Sequence, residues 1–178
     1  MQSTKYGEVL VLIDWDNLFI CLQERFGAEM RLENRIQALI EWIKSDIGEI
    51  WREWGFVFAP DYLTIIHRDI FVRNNLRLMI CPKKQIGEMQ MDTVDETLIW
   101  FGEAMLNHPE IGFICLVSGD ADYVKFLEKA KKAGVKIALA PPTINSLSRD
   151  LVGYANINPK TGKKIILRLD TLFERSNM

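Results

Sequence analysis

The sequence predicts an α/β fold, a mainly parallel sheet of about five strands flanked by helices. Apolar runs of strand length alternate with segments of helical period, the pattern made when a helix carries the chain back between parallel strands. The runs are continuously apolar rather than alternating, which suits strands buried on both faces. Two of them end abruptly in acids. Val9-Leu-Val-Leu-Ile13 runs into Asp14-Trp15-Asp16-Asn17, and Ile114-Cys-Leu-Val117 runs into Ser118-Gly119-Asp120-Ala121-Asp122.

Strands are expected near 9–14, 55–59, 76–81, 111–117 and 135–140. Between the first two, Ile36, Leu39, Ile40, Ile43 and Ile47 recur at intervals of three and four, so one helix is predicted over 32–50. Ile65, Ile66, Ile70 and Val72 point to another within 60–75. A third, over 93–107, opens on Thr93-Val-Asp-Glu96, which fits the reciprocal capping box and starts the helix just before Asp95. The helix expected over 122–133 gathers Lys129, Lys131 and Lys132 at its end, where cations complement the dipole, and stops at Gly134. Beyond Pro141-Pro142 come a short helix, a turn at 158–162 and an apolar stretch at 165–169. The whole is read as a single domain, 1–178, with its core at about 8–142 and a C-terminal helix and tail over 143–178.

At 178 residues the chain can bury about 70% of the surface its unfolded form exposes, so no disulfide or structural metal is required. Cys21, Cys81 and Cys115 are odd in number, widely spaced and set among apolar residues, as expected of reduced thiols in the core of a cytoplasmic protein. No C-x-x-C or His pair offers a zinc site, and no Gly-rich phosphate loop is present. No apolar run reaches the length of a membrane helix. The net charge of −2 neither announces nor excludes a nucleic-acid partner, because a cation bound among acids reverses the local sign.

An Asp at a strand end is ordinarily a turn residue or a helix cap, and Asp14, Asp120 and Asp122 all admit that reading. Asp95 falls in the first turn of its helix, where the dipole favours an anion, with Asp92 and Glu96 crowding it. Combination strengthens a different reading. Asp14, Asp95, Asp120 and Asp122 all lie where strands end or helices begin, and in a doubly wound sheet those boundaries share one edge. Hard oxygen donors gathered there suit Mg²⁺ or Mn²⁺ and a phosphate substrate. Lys83 and Lys84 follow a strand end and could meet a phosphate beside the cluster. Trp15 is the aromatic placed to stack on a base, whereas Trp42, Trp51, Trp54 and Trp100 read as packing residues. His67 and His108 are isolated.

Three segments, Ile13-Asp-Trp-Asp-Asn-Leu18, Val94-Asp-Glu-Thr-Leu98 and Val117-Ser-Gly-Asp-Ala-Asp-Tyr123, resemble in order and spacing the NYN domain family, a branch of the PIN-like nucleases. The resemblance covers roughly 8–142. It implies a Rossmann-like sheet and hydrolysis of phosphodiester bonds, usually in RNA, at a Mg²⁺ or Mn²⁺ site. Carried over by position, Asp14, Asp95, Asp120 and Asp122 would hold the metal, with Asn17 and Ser118 supporting them through hydrogen bonds. Asp16 and Asp92 are further acids in the same segments. Two other readings stand beside this metal-dependent ribonuclease. One is a non-catalytic RNA-binding or regulatory module. The other is a phosphatase resembling the haloacid dehalogenases, from which the chain departs at Leu18 and Val124. The oligomeric state is left open.

Overall fold

The structure, a computed structural model, describes residues 7–172. Five parallel strands form one sheet: β1 (Glu8–Asp14), β2 (Ile50–Ala59), β3 (Leu76–Ile80), β6 (Ile111–Val117) and β7 (Lys136–Leu139). The remaining strands, β4 (Lys84–Ile86) and β5 (Met89–Met91), make a separate antiparallel hairpin. In the main sheet the order is β3-β2-β1-β6-β7, so the chain winds outward from β1, then returns across it to β6. The direction of winding reverses between β1 and β6, and open α/β sheets leave a crevice outside the carboxyl ends of the strands at such a point. Asp14 ends β1 and Ser118 follows β6, which puts both acid-tipped runs at that crevice.

Alternation along β1 explains the two cores. Val9, Val11 and Ile13 face helices α1 (Trp15–Phe26), α2 (Leu32–Trp42) and α3 (Asp61–Arg73), while Leu10 and Leu12 face α4 (Val94–Met105) and α5 (Val124–Lys132). All five β1 side chains are buried, and burial of each contributes about 1.5–3 kcal/mol. The short α6 (Arg149–Val152), capped by Ser148, packs Leu151 into the second core.

The structure departs from or adds to the sequence expectations at several points. The helix over 32–50 ends at Trp42, continues as a wide π-type turn over Ile43–Ile47, and gives way to β2 at Ile50. Arg52 and Glu53 adopt positive φ of 52° and 60°, bulging β2 so that Val9 pairs Ile50 while Val11 pairs Gly55. No reciprocal capping box forms at α4. Thr93 Oγ1 donates to the Pro82 carbonyl instead, and Asp92 Oδ1 accepts the Val94 amide at 2.9 Å. The β4–β5 hairpin, too short to show a period, was not expected. The tail is part of the fold: the Leu139 amide donates to the Ile165 carbonyl and the Leu167 amide to the Leu139 carbonyl, covering the outer edge of β7. Among the described residues no helix is long and apolar enough to cross a membrane.

Candidate metal centre

Asp14 is the floor of the crevice. It is 3% exposed, its Oδ1 accepts the Asn17 amide at 3.1 Å as the cap of α1, and its Oδ2 lies 2.8 Å from Tyr123 Oη. Burial pushes its pKa up to about 7 from the ordinary 3.8; the bonds from Asn17 and Tyr123 pull the other way, and the charges of Asp95 and Asp16 push further up.

Tyr123 joins two segments of the site. Its hydroxyl also lies 2.8 Å from Asp95 Oδ1, so one fully buried phenol bridges the end of β1 and the first turn of α4. A phenol carries one proton, and its own pKa is driven well above 10 by burial and by both carboxylates. Two short bonds therefore require a second proton on one carboxyl or a cation near the other. Asp95 is also raised, first by burial and then by Asp120, Asp122 and Asp92, with the Tyr123 bond opposing.

The loop after β6 is held from beneath. Asn17 Oδ1 accepts from the Gly119 amide at 3.4 Å and lies 3.3 Å from Ser118 Oγ, which in turn accepts the Asp120 amide at 3.2 Å. Gly119 is required because a Cβ there would collide with the Ser146 carbonyl, and the Gly119 carbonyl accepts the Ser148 amide at 2.8 Å. Asp120 caps the turn Ala121–Tyr123 through a 3.0 Å bond from the Asp122 amide.

The result is a trio. Asp95, Asp120 and Asp122 each offer a carboxylate oxygen, and the three lie within 4.8 Å of one another. Two ligands on one Mg²⁺ at about 2.1 Å are at most ~4.2 Å apart, so movements under ~1 Å would close the trio on an ion. Asp14 is outside this trio but lines the same cleft as Asp95 and Asp120, and Tyr123 ties it to Asp95. That cleft, of about 190 Å³, is lined among others by Asp14, Asp16, Asn17, Cys21, Asp92 and Asp120. Cys21 is thus a partly buried rim residue rather than the core thiol expected, while Cys81 and Cys115 are buried.

The rim carries Asp16, 3.1 Å from the Tyr62 hydroxyl. Burial raises its pKa and the Tyr62 bond lowers it, with Asp92 adding repulsion and Lys83 attraction. Lys83 Nζ sits 5.9 Å from the Tyr62 ring centre, and Lys84 opens the exposed hairpin. Trp15 cannot stack on a base. It is fully buried, its Nε1 donates to His67 Nδ1 at 2.9 Å, and it packs edge-on against Phe71, because the first turn of α1 aims it inward. His67, its pKa lowered by burial, is the neutral acceptor. Sequence reading missed Tyr123, the bridge, and Tyr62, the exposed aromatic at the rim.

No protein-family model and no curated protein matches the chain. Among solved structures it is similar to a protein of unknown function from Vibrio parahaemolyticus, with a TM-score of 0.70 at 16% identity over 88% of this chain and 93% of that one. At that identity the likeness shows the fold.

Proposed function

We propose that the chain is a metal-dependent nuclease, acting on RNA, whose cation is held by Asp95, Asp120 and Asp122. The convergence of those three carboxylates at the switch point of the sheet carries the reading. A bound Mg²⁺ or Mn²⁺ supplies water acidification and offsets charge building on a phosphoryl oxygen. The chain's own residues do the rest. Asn17 and Ser118 fix the loop that presents Asp120. Asp14, which lines the same cleft as Asp95 and Asp120, positions Asp95 through Tyr123. Lys83 and Lys84 attract the phosphate backbone, and the Tyr62 ring offers a stacking surface. The choice of RNA over DNA rests on the resemblance of the three motifs to NYN domains.

End-labelled single-stranded and hairpin RNAs, incubated with nuclease-free protein and Mn²⁺, Mg²⁺ or EDTA, test this. Cleavage with either metal, absent in EDTA and in Asp120→Asn, is expected; intact RNA under every condition would end the proposal. The capping bonds made by Asp14, Asp92 and Asp120 favour a second reading, an RNA-binding module without chemistry. RNA binding that persists in EDTA without cleavage distinguishes it. A phosphatase reading draws less support, since its nucleophile would be Asp14, 3% exposed with both oxygens engaged.

A further inference from the structure

We infer that the cavity beyond Cys21 along α1 is a second phosphate subsite, where Arg25 and Asn145 hold a phosphodiester of the RNA strand that flanks the one at the metal. The inference rests on the nuclease reading and extends it to the path of the strand.

Two cavities open side by side, and Cys21 lines both. One is the acidic cleft. The other, of about 450 Å³, is walled by Cys21, Glu24 and Arg25 of α1 and by Thr143, Asn145 and Ser146 of the loop after β7. Residues four, seven and eight apart share a helix face, so Asn17, Cys21, Glu24 and Arg25 form one stripe leading away from the metal ligands. The opposite wall is continuous as well. Gly119, beside Asp120, lies against the Ser146 carbonyl, and its own carbonyl accepts the Ser148 amide at 2.8 Å. Thr143 and Ser146 stiffen that wall: each amide donates to the other's hydroxyl oxygen at 3.1 Å, and Ser146 Oγ donates to the Thr143 carbonyl at 2.9 Å.

Charge decides what fits this cavity. Arg25 Nε lies 3.4 Å from Asp170 Oδ2, but Arg168 already meets both oxygens of that carboxylate, at 3.2 and 3.0 Å. Two guanidinium groups thus share one fully buried carboxylate, which leaves a net positive charge where the Arg25 side chain is 40% exposed. Its planar fork of donors suits a phosphate. Asn145, exposed on the facing loop, adds an amide donor. Between the two cavities Cys21 is an uncharged thiol, its pKa raised first by burial, with the bond to Ser146 opposing and Glu24, Asp14 and Asp120 adding to the rise. Glu24, the one acid lining the second cavity, opposes an anion there. Arg25 stands about 12 Å along α1 from Asn17, so its phosphate is roughly one to three nucleotides from the cut, according to how far the strand stretches beyond the ~3.4 Å of stacked bases. Lys83 and Tyr62 meet the other end of α1 at Asp16. Acids therefore occupy the middle of the path, where a cation neutralises them, and basic groups stand at its two ends.

Mn²⁺-dependent cleavage of a single-stranded RNA by the full chain tests the subsite. Arg25→Ala should raise KM about 10-fold, the loss of one charge-assisted bond, with kcat little changed. Its circular dichroism should be unaltered, because Arg168 still neutralises Asp170. The slope of log kcat/KM against log salt should fall by about 0.7, the share of one single-strand phosphate. Glu24→Gln should act in the opposite direction and lower KM, a response that a packing role does not give. Uncharged methylphosphonates placed one at a time beside the cut should raise KM for the wild type at one position and leave Arg25→Ala indifferent at that position. If the wild type cleaves RNA while Arg25→Ala keeps its KM and salt slope, or responds to every methylphosphonate as the wild type does, the subsite is overturned and the nuclease reading stands. RNA left intact by the wild type with either metal removes both.

Discussion

Asp14 and Asp120 look alike in the sequence, and the fold gives them opposite tasks. Each follows a buried strand and each caps the turn after it. Asp14, however, is almost fully buried at the floor of the cleft with both oxygens engaged, while Asp120 is partly exposed and offers a carboxylate oxygen within 4.8 Å of Asp95 and Asp122. The difference follows from the switch point. β1 is the central strand, covered on both faces, whereas the loop after β6 turns outward over the crevice. One carboxylate is therefore a buried support and, on the proposed reading, the other is the accessible ligand.

Removing the open ligand should have the largest effect. Asp120→Asn is expected to reduce Mn²⁺-dependent cleavage by more than the ~10–100-fold typical of groups that only orient a ligand. Titration calorimetry with Mn²⁺ alone should show the same loss. Equal losses for Asp14→Asn and Asp120→Asn in metal binding would erase the distinction between floor and trio.

Tyr123→Phe comes next. It keeps the ring and removes the bridge, so metal affinity should fall ~10–100-fold through a loosened Asp95. Its stability cost, about 1–3 kcal/mol for buried carboxyl oxygens left without a donor, is read by urea denaturation in EDTA. Unchanged Mn²⁺ affinity would reduce Tyr123 to a packing residue.

The floor has its own signature in pH. Asp14 holds its proton more tightly folded than unfolded, so the stability it contributes is full below about pH 4 and is lost as pH rises through about 7. In EDTA the melting temperature should fall by several degrees across that window, and Asp14→Asn should flatten the fall. Added Mn²⁺ should restore stability more at pH 8 than at pH 5, taken as about one unit above and two below the titration. A wild-type profile parallel to that of Asp14→Asn would contradict the buried-floor assignment.

How much of this was readable beforehand depended on whether the cause was local. The continuous apolar runs of β1 and β6 are local, and they placed Asp14, Ser118 and Asp120 at the right edge. The bulge at Arg52 and Glu53 is not, because two non-glycine residues at positive φ carry no turn residue to announce them. The π-type turn over Ile43–Ile47 kept a helical apolar spacing, so periodicity ran past the true end of α2. Tyr123 was passed over because its partners lie 109 and 28 residues away, a relation that composition and period do not encode. Trp15 was misplaced by its neighbours. Lying between Asp14 and Asp16 it looked exposed, but a residue at the first position of α1 points into the α3 side of the core.

The rim should give the smallest effects, and it separates the two aromatics. Tyr62→Ala is expected to weaken binding of a short single-stranded RNA by about 1–3 kcal/mol, the range for one base stacked on a ring. Trp15→Phe should leave that affinity unchanged and instead cost ~1 kcal/mol of stability through the lost bond to His67. Lys83→Ala, beside the same ring, should lower the slope of log affinity against log salt by about one phosphate contact without altering preference among sequences. Fluorescence anisotropy at several salt concentrations measures all three. If Trp15→Phe weakened RNA binding while Tyr62→Ala did not, the strand end would open far enough to expose the indole, and the sealed floor beneath Asp14 would have to open with it.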